Sequence, residues 1–159
     1  MTDSAKAAVD ELRRRITALD ADSLDLILRD ARTFNDWQDR DVSDEVLNQL
    51  YDLYKWGVNS MNCSPTRVVF VKSKDAKARL EPALMEGNRK KTMAAPVCAI
   101  IGTDMKFYEK LPVLFPHNKG AADLFRGNAS LAEVTAFRNG TPQGAYLVNR
   151  ARAPGVGCG

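Results

Sequence analysis

Three polar clusters hold the side chains of this sequence that could do chemistry. Arg32-Thr33-Phe34-Asn35 sets a guanidinium beside a hydroxyl and an amide. Such a set can cradle a phosphate, because the charge attracts while the neutral donors fix orientation. The same residues also read as a solvated surface loop. Asn59-Ser60-Met61-Asn62-Cys63-Ser64-Pro65 gathers short polar side chains that either meet a ligand or satisfy their own turn. Asn88-Arg89-Lys90-Lys91 offers an amide and cations to an anion or an electron-rich ring, or is a basic turn in water. There is no GxGxxG, no P-loop and no HExxH. The single histidine, His117, lies in a loop flanked by Pro and Gly and cannot make a zinc site alone. A Ser-His-Asp triad or a Cys-His dyad would have to run through it. Cys63, Cys98 and Cys158 are scattered with no CxxC pair, which fits a reducing cytosol better than a disulfide framework. An enzyme this poor in acid–base groups would borrow a cofactor for the hard step.

The elements that must position these clusters come from a chain of 159 residues, a length that fits one domain with a core of its own. Hydrophobic residues make up 45% and charged residues 27%, which argues against disorder. The net charge of +3 is too even to indicate a nucleic-acid partner. No apolar run approaches the roughly 20 residues that cross a bilayer, and the charged start lacks the apolar stretch of a secretory signal. A cytoplasmic protein with no membrane partner is expected.

Apolar spacing predicts a helix over 5–19, with Ala8, Val9, Leu12, Ile16 and Leu19 on one side. A short helix follows, capped by Asp22 or Ser23. Ser43 offers the N-cap of a third helix with Asp44 and Glu45 in its first turn, and Gly57 reads as its C′ residue. Val68–Val71 reads as a strand, 74–85 as a helix distorted by Pro82, and EGNRKKT as a polar connection. Residues 96–102, PVCAIIG, read as a strand buried on both faces. Residues 104–129 resist assignment. Ser130-Leu-Ala-Glu133 has the form of a capping box, starting a helix with Leu131, Val134, Phe137, Tyr146 and Leu147 on its buried side. Gly140, Pro142 and Gly144 are expected to interrupt it. Strand, helix and strand indicate α/β or α+β architecture.

The three clusters in this order, with an apolar strand directly after the second, give the chain a resemblance to the FMN-dependent nitroreductase family. Within it, the chain is most similar to the malonic semialdehyde reductases of pyrimidine utilisation. The phrases that carry the likeness are ARTFNDW (31–37), VSDEVLNQLYDLYKWG (42–57), NCSPTRVVFVKS (62–73), LEPALMEGNRKKT (80–92), APV (95–97), FYEKLPVLFPH (107–117) and EVTAFRN (133–139). Together they span about residues 25–148. Two departures are Val58, where many relatives have Pro, and Ser64 in place of Gln.

The resemblance implies an α+β nitroreductase-like fold, with a central mixed sheet flanked by helices and without the family's C-terminal segment. Residues 1–148 would form a single domain and 149–159 an atypical, disordered tail. The breakers at 140–144 suggest a reading frame that shifts near 139–149; a natural shorter variant is the alternative. It further implies that Arg32 pairs with the FMN phosphate, with Thr33 and Asn35 at its side. Asn59, Ser60 and Asn62 would meet the flavin, often from the other subunit of a homodimer. Asn88 and Lys91 would bond the polar edge of the flavin ring, and no side chain would be catalytic in its own right. NAD(P)H would be the co-substrate and a small aldehyde the acceptor. Other readings stay open: a general nitro or quinone reductase, a truncated inactive relative, or a small binding module that uses the basic 89–91 turn.

Overall fold

The structure, a computed structural model, describes residues 2–159. The chain forms two compact units, the first ending at Ala31 and the second running from Arg32 to Gly159. In the first, α1 (Asp3–Arg15) is capped by the Thr2 hydroxyl, and its ends carry Asp3 and Arg13–Arg15 as the helix dipole favours. α2 (Ala21–Leu24) is capped by Asp20, not by the expected Asp22 or Ser23, and passes into a π turn at Asp25–Arg29. None of these helices buries a residue.

The second unit opens with a loop and then α3 (Asp44–Tyr54), which Ser43 caps as its sequence indicates. A 3₁₀ turn at Ser60–Asn62 leads into β1 (Thr66–Val71). After α4 (Lys74–Leu80) the chain tightens into a 3₁₀ turn at Glu81–Ala83, where Pro82 sits. α5 (Glu86–Ala94) precedes β2 (Cys98–Thr103). A 3₁₀ turn at Phe107–Lys110, α6 (Leu111–Leu114) and α7 (Ala121–Arg126) fill the stretch the sequence left unassigned. α8 (Ala129–Ala151) completes the order.

Among the described residues the sheet has two strands, β1 and β2, paired antiparallel with Thr66 opposite Thr103 and Val71 opposite Cys98. The architecture is α+β, but the expected central mixed sheet is this single antiparallel pair. β2 is also not buried on both faces: Ile100 and its partner Val69 are exposed. Side chains alternate across a strand, so covering Val68 and Phe70 with helices leaves Val69 and Ile100 on the open side.

α8 is the spine, about 35 Å long at roughly 1.5 Å per residue. Its buried residues are Ala132, Ala136, Gly140, Gln143, Leu147 and Ala151. Ala132 and Ala136 join Cys63, Phe107, Leu111 and Phe125 in one cluster; Leu147 and Ala151 join Leu50 and Tyr54 in a second. Between them Gly140 lies against the sheet, where a Cβ would come within 3.2 Å of Thr103 Oγ1. Val134 and Phe137, expected inside, are exposed, because the close approach selects the small residues of the opposite stripe. The cap is the Asn128 side chain, whose Oδ1 accepts from Leu131 N at 3.0 Å, and not the Ser130 box. Nor do Gly140, Pro142 and Gly144 interrupt the helix. Pro142 is exposed, so the backbone bond it removes is lost on the wet side while packing holds the dry side.

Two more corrections follow from packing. EGNRKKT is the body of α5 and not a connection; with no buried residue it shows no apolar period. Gly57 is not a left-handed C′ residue, since among the described glycines only Gly155 has a positive φ. It is small because a Cβ there would fall 2.6 Å from the Tyr146 ring. After α8 the chain turns back, Val156 and Cys158 pack on the second cluster, and Phe34 N donates to Cys158 O at 3.0 Å.

Candidate functional site

The first cluster and the third come together. The loop that starts at Arg32 crosses α5, and Lys91 Nζ donates to Asn35 Oδ1 at 3.0 Å. Two residues on, Trp37 Nε1 donates to the Lys91 carbonyl at 2.7 Å. The loop therefore holds both ends of the lysine, its backbone and its ammonium. Between loop and helix lies a cleft of about 490 Å³, lined by Asn35, Asp36, Trp37, Asp39, Lys90 and Lys91 among others. Two acids and two lysines keep its formal charge even, so it favours a polar neutral group with a cation at one point over a free anion. Trp37 also borders two further cavities of about 340 and 270 Å³, which makes the indole their shared wall.

Arg32 and Thr33 are exposed on the same loop, outside the cleft lining. The Arg32 carbonyl accepts from Arg152 NH2 at 3.3 Å, so the chain after α8 braces the arginine from behind. Asn88 is exposed in the first turn of α5, one helical turn before Lys91. These two therefore face the same side of that helix, as residues three apart do.

The second cluster is placed elsewhere. Asn59 folds its own turn: Oδ1 accepts from Ser64 N at 2.9 Å and Nδ2 donates to the Gly57 carbonyl at 3.1 Å. Asn62 Nδ2 donates to the Leu114 carbonyl at 2.9 Å. Ser60 bonds to Asn139 of α8, its N–H donating to Oδ1 at 2.7 Å and its hydroxyl accepting from Nδ2 at 3.0 Å. None of these partners lines the cleft. Met61, Asn62 and Ser64 all have positive φ, of 53°, 49° and 37°. A non-Gly residue in that region costs about 1–3 kcal/mol and persists only where its surroundings fix it. Here they do, since Cys63 and Pro65 on either side are almost fully buried. Burial pushes the Cys63 thiol above its ordinary range, which keeps it protonated and a poor nucleophile.

Sequence reasoning missed Trp37, Asn139 and Gln143. Gln143 Oε1 accepts from the buried N–H of Thr66 at 3.0 Å and ties α8 to the start of β1. A lone indole in a polar loop was a usable signal for Trp37. An amide on a helix carries none until its neighbours are known. His117 lies against the Phe115 ring in its expected loop, with centroids 3.8 Å apart and the ring planes tilted by 59°. Among the described residues no group of His, Cys, Asp and Glu could hold a metal, and no helix is long and apolar enough to cross a membrane.

No family model matches the chain. It is 56% identical over 144 residues to a protein of Burkholderia lata named NADH dehydrogenase/NAD(P)H nitroreductase, covering 91% of this chain and 73% of the relative. A protein of the same name from Cupriavidus pinatubonensis is 53% identical over 138 residues, or 86% of this chain and 70% of that one. Among solved structures, a nitroreductase in complex with FMN from Exiguobacterium sibiricum superposes with a TM-score of 0.72 at 20% identity. That match covers 88% of this chain and 74% of the other, and it shows a shared fold.

Proposed function

Since the chain belongs to the NAD(P)H nitroreductase family, we propose that it is an FMN-dependent oxidoreductase that reduces a small acceptor at the expense of NAD(P)H. The observation that carries this is Lys91 held by Asn35 and Trp37 at the edge of a cleft. FMN, when bound, would supply the hydride-transfer chemistry that links NAD(P)H to the acceptor.

The residues of the cleft fit such a group. A ring with electron-rich carbonyls gains negative charge along its polar edge on reduction, and a fixed ammonium stabilises that charge where it develops. Lys91 supplies the ammonium. Its position costs little to reorganise, because the Asn35 amide and the Trp37 indole hold it beforehand. Asn88 would add a neutral contact from the same side of α5. Arg32, with Thr33 and Asn35, would take the phosphate, whose charge the mixed cleft does not itself attract. Asn59, Ser60 and Asn62 lie off the cleft within one chain, and in a homodimer they would meet the flavin of the second subunit; the family resemblance of the loop supports this role. No side chain is assigned a proton transfer; the proton that the acceptor takes up together with its hydride would come from water.

For the acceptor we assign malonic semialdehyde, reduced to 3-hydroxypropanoate; the similarity of FYEKLPVLFPH and the loop before β1 to that branch supports it. The names of the curated relatives, NADH dehydrogenase/NAD(P)H nitroreductase, favour a second reading, a nitroreductase, and a quinone is a further acceptor to test. The visible spectrum of the purified protein tests the cofactor: a bound flavin band is expected, and a folded protein that stays colourless with excess FMN overturns the proposal. Turnover of malonic semialdehyde against a nitroaromatic and a quinone then ranks the acceptors.

A further inference from the structure

Asn139 is not one of the residues assigned to the cofactor, yet it grips the loop before β1 from the middle of α8. Its amide orientation is fixed by its partners. The Ser60 N–H can only donate, so the atom facing it at 2.7 Å is Oδ1. The Thr135 carbonyl can only accept, so the atom 2.8 Å from it is Nδ2. The same Nδ2 lies 3.0 Å from Ser60 Oγ and donates to it. The serine oxygen therefore receives a hydrogen bond from behind, and its own proton is left for a second partner, either the neighbouring Cys63 thiol or a group that approaches the exposed residue from outside.

The helix side of this contact is rigid. Asn139 is next to Gly140, the point where α8 touches the sheet, and one turn beyond buried Ala136. The loop side needs support, because Met61, Asn62 and Ser64 all lie in the left-handed region. One amide thus sets both the path of the loop and the place of the Ser60 oxygen. We propose that Asn139 is a positioning residue that holds Ser60 as an outward hydrogen-bond donor for the cofactor. The proposal rests on the flavin reading above.

The test uses the full chain and FMN, with hydrogen exchange at the Ser60 amide as a readout that needs no cofactor. Asn139→Ala should speed that exchange and raise the Kd for FMN, each by about tenfold, the size expected for a lost hydrogen bond. Asn139→Asp separates the two roles. Its carboxylate still accepts from the Ser60 N–H but loses the donation to the Thr135 carbonyl, so exchange should be slower than in the alanine variant. It also accepts from the Ser60 hydroxyl and turns that proton inward, so the Kd should rise as it does in the alanine variant. In a Ser60→Ala background, Asn139→Asp should then change the Kd by less than about twofold, as non-additivity of coupled residues requires. Unchanged FMN affinity in both Asn139 variants overturns the proposal and leaves the flavin reading intact. An Asp effect that persists undiminished without the Ser60 hydroxyl overturns it as well. If the unaltered chain binds no FMN, the flavin reading falls and the assignment of Asn139 falls with it, whatever the exchange shows.

Discussion

The seam between α8 and the start of β1 and the cleft between the arginine loop and α5 are built on opposite principles. In the seam almost every group is buried and partnered: Gly140 touches Thr103, Gln143 holds the Thr66 N–H, and Cys63, Pro65 and Phe107 are almost wholly enclosed. In the cleft the helix buries no residue, and two hydrogen bonds, from Lys91 Nζ and Trp37 Nε1, join it to the loop. Close packing fixes position against any small change, whereas single polar contacts leave room for an incoming group to replace water. The seam thus sets stability and geometry, and under the proposed function the cleft is where binding would be tuned at little cost to the fold.

Substitutions on the two sides should therefore have different signatures. Phe107→Ala, at a fully enclosed ring against Phe125, should lower unfolding free energy by about 3–5 kcal/mol in denaturant titration. Gln143→Leu keeps the volume but orphans the buried Thr66 N–H, and the same titration should show a loss of about 1–3 kcal/mol. Lys91→Ala should change stability by only about 0.5 kcal/mol while slowing flavin reduction by NAD(P)H in stopped flow. Should Lys91→Ala destabilise the fold as much as Gln143→Leu, the contrast between seam and cleft is lost. Arg32→Ala should instead weaken FMN binding, by about 1.5–3 kcal/mol if it removes a charge-assisted contact, with little change in the reduction rate. The smallest effect concerns pH. The Cys63 thiol is held above its ordinary value of 9.0 by burial, so its contribution is fully present below that pH. Above it the unfolded chain ionises first and stability falls. Cys63→Ala should make the alkaline decline of the melting temperature shallower.

Much of the local structure was legible one segment at a time. Ser43 capping α3, Pro82 tightening the end of α4 and the apolar strand before Lys72 all follow from neighbouring residues, since capping, φ restriction and β-branching act over a few positions. The types of the residues around the cleft were legible in the same way. Their meeting was not, because Asn35 and Lys91 are brought together by a contact that no local pattern encodes. α5 was hidden because a helix without a buried face has no apolar period to read. α8 was misread for the converse reason: its packed stripe is Ala, Gly and Gln, so its exposed Val134 and Phe137 looked like the core.

By itself, then, the sequence determined the Ser43 cap of α3, the tightening at Pro82 and the presence of an apolar strand before Lys72, because those depend on covalent geometry and side-chain chemistry. Only the tertiary structure decided which face of α8 is buried, that Pro142 can lie in a continuous helix, and that Asn139 reaches Ser60. Those outcomes depend on how closely two backbones approach, and that distance is set by the whole packed unit and not by any one segment.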